Sequence, residues 1–129
     1  MAKDIENKAD IKLLLDTFYG RATVDSVIGH FFTEVIQLDL EVHMPIMYSF
    51  WASVLLGDAA YTGNPMEKHI QLNKKSPMTQ AHFDRWLSLW FETVDELFAG
   101  DMADMAKKRA EGIRQLMAWK VLDSARTDT

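Results

Sequence analysis

Four histidines, at positions 30, 43, 69 and 82, are the side chains best suited to acid–base or metal chemistry near neutral pH, and no two of them stand three or four residues apart. A zinc motif such as His-Glu-x-x-His needs two imidazoles on one helical face and is therefore absent. The chain has no cysteine, which removes zinc–thiolate sites, iron–sulfur clusters, CxxC redox motifs and covalent CxxCH haem attachment. There is no Gly-x-Ser-x-Gly elbow, P-loop or Gly-x-Gly-x-x-Gly fingerprint, so serine-nucleophile chemistry and nucleotide binding find no support. Asp16, Asp39, Glu41, Asp84, Glu92 and Asp95 fall mostly on expected polar faces, where solvation is the ordinary role of a carboxylate. What stays open is a chemistry needing one protein ligand, such as a haem iron held by a single neutral imidazole among helices that exclude water. Residue counting does not select the histidine; His69, taken alone, reads more simply as an exposed side chain on a short amphipathic turn.

The elements that must position these residues are helical. Apolar residues recur at three and four rather than at two, with only six Gly and three Pro to interrupt them. The spacing predicts a first helix from about Asp10 to Thr23, with Ile11, Leu14, Leu15 and Phe18 inward and Asp10 as its N-cap. Asp25 reads as the cap of a shorter helix from Ser26 to Ile36. Another runs from about Pro45 to Leu56, Pro45 lying in the first turn where its missing N–H is harmless and Gly57 ending it. The turn-rich stretch from Asp58 to Pro65 leads into about two turns from Met66 to Leu72, which carry His69. A long helix from Pro77 to about Phe98 sets Phe83, Trp86, Leu87, Trp90, Val94 and Leu97 on one stripe. Asp101 is placed to cap a last helix with Met102, Met105, Ala106, Ile113, Leu116 and Met117 inward. Residues 1–9 and 123–129 are polar and are expected as flexible ends of a single 1–129 domain.

With 14 Lys and Arg against 19 Asp and Glu, the net charge is −5 and the basic residues are scattered. That pattern gives no electrostatic footprint for nucleic acid or an anionic membrane. Neither a signal-peptide core nor a run of about 18 apolar residues is present, and cytoplasmic residence is the resulting expectation.

The order of several short stretches is more specific than any one of them. Phe18-Tyr19, Gly29-His30-Phe31-Phe32, His43 followed by Ser49-Phe50-Trp51-Ala52 and Leu55-Leu56-Gly57, the run from Tyr61 to His69, and His82-Phe83-Asp84-Arg85-Trp86-Leu87 with Trp90 together resemble the truncated haemoglobins of group III. The resemblance covers about Ile11 to Met117. It implies an all-α, two-over-two helical sandwich around a non-covalent haem b. It also implies His69 as the axial metal ligand, Tyr19, His43 and Trp86 as a polar set on the opposite, distal face, and Phe32 as a ring wedged against the haem.

Read without the resemblance, Tyr19 is a core tyrosine with its hydroxyl at the edge, Trp86 is helix core, and His43 is an N-terminal helix residue in water. Read with it, all three are hydrogen-bond donors for a diatomic ligand: a phenol O–H, an indole N–H and an imidazole that also gates access. Apolar walls are expected from Met47, Phe50, Met66, Phe83 and Trp90 among others. Met47 stands one helical turn past His43, and Tyr61, Lys68 and Arg85 are within reach of the propionates. The ligands implied are O2, NO, CO or peroxide. A polar distal set suggests slow oxygen release, and so redox work such as NO dioxygenation or peroxide reduction with a separate reductase as electron donor, more than simple oxygen storage; oxygen transport is the general role that the resemblance implies. His30 and His82 are left as surface residues. The alternative from a different class is a cofactor-free helical interaction module in which the Phe83, Trp86, Trp90 stripe is only core.

Overall fold

The computed structural model describes residues 2–31, 40–57 and 79–127. They form four helices: α1 (Lys8–Ala22), α2 (Leu40–Leu56), α3 (Gln80–Leu97) and α4 (Asp101–Thr127). Helix α1 packs on α2 and α3 on α4, and the two pairs meet through α1 against α3 and α2 against α4. The result is a two-over-two sandwich with no strand among the described residues. No helix among them is long and apolar enough to cross a membrane.

Helix α1 buries Ile11, Leu14, Leu15, Phe18 and Ala22, the stripe its spacing predicts. Its cap differs from the expectation. Asn7 accepts the Asp10 N–H at 3.0 Å. Asp10 lies inside the first turn and turns its carboxylate back to accept from the Glu6 amide and the Lys3 ammonium, both at 2.9 Å. Burial opposes the Asp10 charge, but these donors outweigh it and hold the carboxyl below its ordinary range. Asp25 does cap the following turn, accepting from the amides of Val27 at 3.0 Å and Ile28 at 3.1 Å.

Helix α2 begins at Leu40, five residues before the proline that was read as its start, so Pro45 is interior. At the sixth position the ring removes the bond that residue 45 would have donated to the Glu41 carbonyl and crowds that carbonyl, but it does so one turn from an end whose first four amides have no intrahelical acceptor in any case. The earlier start brings His43 into the helix. Gly57 closes it with φ +75°, a left-handed conformation that suits glycine.

Helix α3 starts after Thr79 and buries Phe83, Leu89, Trp90, Thr93 and Val94. Helix α4 departs further from expectation. Its first amides are capped by a residue from the other end of the chain: Asp4 accepts from Met102 at 2.9 Å and Ala103 at 2.8 Å. Asp101, the expected cap, is the first helical residue instead. Gly100, at φ +137°, passes so close that an added Cβ would lie 2.6 Å from the Asp4 carboxyl carbon. The amino-terminal residues, expected as a free end, are thus drawn into the fold, with Ile5 buried and Lys3 accepting the Ala99 N–H through its carbonyl at 3.0 Å. The buried stripe of α4 is Ala103, Ala106, Ala110 and Met117, whereas Met105 and Leu116, expected inside, are exposed. Three of the four side chains in the stripe are alanines, whose small size gives them little weight beside the methionines and leucine when the stripe is read from the sequence.

Candidate distal ligand site

The last turn of α1 and the first turns of α2 bring Tyr19 and His43 together. His43 Nε2 lies 3.1 Å from the Tyr19 hydroxyl, and the two rings meet edge to face with centroids 5.2 Å apart. Burial pushes the Tyr19 pKa far above its ordinary value, so the phenol stays protonated and can act as a donor. Which atom donates within the pair depends on the His43 tautomer. With its lone pair on Nε2, His43 accepts the Tyr19 proton; with its proton there, it donates to the Tyr19 oxygen and the Tyr19 O–H turns to a different acceptor.

Phe18 links this pair to α3. Its ring stands edge to face with Tyr19 at 5.3 Å, Trp86 at 6.2 Å and Trp90 at 5.2 Å. Sequence reasoning treated Phe18 as core alone; its place immediately before Tyr19 on the apolar stripe was the available signal. Trp86 is half-buried, and its indole N–H has no hydrogen-bond partner among the described residues. It stacks on Trp90 at 6.4 Å, which stacks in turn on Trp51 of α2 at 4.5 Å. Trp90 is almost wholly buried and gives its N–H to the Ala106 carbonyl at 3.2 Å.

Among the expected wall residues, Met47 and Phe50 are half-buried against the main core on the His43 helix, and Phe50 meets Trp51 edge to face at 5.5 Å. Phe83 is buried elsewhere, in a small cluster with Met117, Ala118 and Ile113 between α3 and α4. Arg85 is engaged by Asp25, with 2.7 Å and 2.9 Å contacts to one carboxylate oxygen, and the pair ties α3 to the segment after α1. That bond occupies the guanidinium that sequence reasoning had offered to a propionate. Phe32, Tyr61, Met66, Lys68 and His69 lie outside the described residues. Among the described residues no group of three or more His, Cys, Asp or Glu could hold a metal. His30 and His82, read as surface residues, are half-buried neighbours with ring centroids 5.9 Å apart.

No family model matches the chain. A group 3 truncated haemoglobin of Campylobacter jejuni is 31% identical over 110 residues, covering 83% of this chain and 84% of that protein. The chain belongs to the group III truncated haemoglobins. The crystal structure of the group III truncated haemoglobin from Campylobacter jejuni superposes with a TM-score of 0.82 at 27% identity, covering 94% of this chain and 95% of that one. Within this truncated haemoglobin, the Tyr19–His43 pair and the Trp86 ring occupy one continuous aromatic region bounded by α1, α2 and α3. The rival reading as a cofactor-free interaction module is not favoured by these two matches.

Proposed function

We propose that this truncated haemoglobin binds haem b through His69 and takes a diatomic ligand, chiefly O2, on the Tyr19 side. The observation that carries the reading is the Tyr19–His43 pair, a protonated phenol and an imidazole 3.1 Å apart against an aromatic wall. The donor set fits such a group: a phenol O–H, an imidazole and an indole N–H beside Phe18, with Met47 and Phe50 supplying apolar surface. When bound, the haem supplies an iron centre that holds a diatomic ligand and exchanges electrons with it.

The remaining chemistry belongs to the side chains. In a pocket shielded from water, a hydrogen bond from a fixed donor to a polarised ligand is worth more than in bulk solvent. Tyr19 is the principal donor, because its hydroxyl lies beside His43, whose imidazole can fix the direction of its proton. Trp86 is the second, held in orientation by Phe18 and Trp90. His43 sets the direction of the Tyr19 O–H and, from the first turns of α2, controls access. Two donors, the first oriented by His43, favour retention of ligand, which suits redox work on O2, NO or peroxide, with electrons from a separate cytoplasmic reductase, better than simple storage.

The first test is an absorption spectrum of the purified protein, then of the reduced and CO-treated protein. An intense Soret band that shifts sharply with CO, at one haem per chain, is expected. A colourless protein that also ignores added hemin overturns the proposal.

A further inference from the structure

The His30–His82 pair has no part in the site as described, and its geometry gives it a task. His82 is the third residue of α3, and its Nδ1 accepts the backbone N–H of Thr79 at 3.0 Å. This is the side-chain half of a capping box, in which the third helical residue reaches back to the residue before the helix; Glu or Gln normally fills that place. A glutamine amide does not titrate near neutral pH, but an imidazole does. For Nδ1 to accept, the ring must be neutral with its proton on Nε2. A second proton would turn Nδ1 into a donor facing the Thr79 donor, at a helix end that already disfavours positive charge.

The surroundings oppose that proton. From the segment after α1, His30 lies 5.9 Å away and Phe31 packs edge to face on the His82 ring at 4.9 Å. On α3, Asp84 and Arg85 follow, but each is engaged elsewhere: Arg85 with Asp25, and Asp84 with Arg114 of α4, which also donates to Gln80 at 2.8 Å. Burial, and then the charge of His30, hold the His82 pKa below its ordinary value. Trp86 lies four residues on, one turn along the same face of the helix.

We propose that His82 is a positioning residue for Trp86: in its neutral form it caps α3 through Nδ1, and on taking up a proton it releases the cap and loosens the first turn of α3, on which the turn that carries the indole stands. The sign follows from linkage. Because the folded chain resists this proton, the cap's contribution is complete above the ordinary histidine range and is lost as pH falls below it. The part played by Trp86 toward a ligand rests on the function proposed above.

Two-dimensional NMR of the reduced, CO-treated protein from about pH 8 to about pH 5 tests the coupling. The Thr79 amide and the Trp86 indole N–H are expected to shift together with the His82 ring. His82→Gln, which restores the usual capping residue, should abolish both shifts while α3 stays capped. His30→Gln should move the midpoint upward, toward the ordinary histidine value. A Trp86 signal indifferent to pH in the wild type, or one that titrates unchanged in His82→Gln, overturns the proposal. The CO stretching band separates this idea from the functional one. If the band follows the same midpoint, both gain support; if Trp86 titrates while the band stays fixed, the cap coupling stands and the pocket role of Trp86 falls.

Discussion

The Tyr19 hydroxyl has one hydrogen to donate, and His43 influences where it goes. Replacing Tyr19 with Phe removes that donor while leaving the ring against Phe18, so the aromatic packing survives. Losing a hydrogen bond to a polarised ligand in a shielded pocket costs about 1–3 kcal/mol, so Tyr19→Phe should speed O2 dissociation roughly 5- to 150-fold in a stopped-flow measurement. A rate within about twofold of wild type would remove the hydroxyl from its assigned role. If His69 holds the haem as proposed, His69→Ala should abolish stable haem uptake unless imidazole is added; an unchanged spectrum would mean that the axial ligand lies elsewhere. At this scale the sequence was readable unevenly. Asp25 announced its cap because its amides are two and three residues away. Tyr19, His43 and Trp86 came from the resemblance, since residue type alone gives each an ordinary structural role. His82 passed unnoticed because a histidine in the capping-box position matches no capping signature.

Among the elements, the stripes of α1 and α3 follow from spacing, since one face of each meets a single continuous core. The beginnings of α2 and α4 did not. Pro45 marks a helix start often enough that it was placed in the first turn, although one missing donor near an end is a tolerable loss. The cap of α4 comes from Asp4, and no local pattern can reveal a partner so far away. Asp4→Ala should lower stability by about 1 kcal/mol, the usual effect of losing a helix cap, measured by urea unfolding. Gly100→Ala should destabilise through the same place, by forcing a side chain into a left-handed backbone and against the Asp4 carboxyl. Because the two changes share one contact, the double variant should lose less than the sum. Acid should act here too. Burial opposes the Asp4 charge, yet three backbone amides hold its carboxyl below the ordinary range. Its stabilisation is therefore present above the unfolded carboxylate range and fades as pH falls through the lowered folded value, a fade that Asp4→Ala should remove from the pH–stability curve.

Across the whole molecule, three tryptophans from two helices run through the centre of the sandwich, and Trp90 is the one that touches both others. Removing so large a buried ring usually costs about 3–5 kcal/mol, so Trp90→Ala should unfold far below the wild-type temperature. The haem proposal makes a separate statement at this scale. A group that binds only the folded chain stabilises it by mass action, so added hemin should raise the melting temperature of the apoprotein, and an unchanged transition would count against the pocket.

The Asp4 clasp also says something about time. Its hydrogen bonds join residues 98 and 99 positions apart, closing the chain from α1 to the start of α4 into one loop. Contacts of that span are entropically expensive to form before the helices between them have docked. The clasp therefore belongs to the late side of the folding barrier, and cutting it changes one rate and not the other: an Asp4→Ala chain refolds at the wild-type speed and comes apart faster.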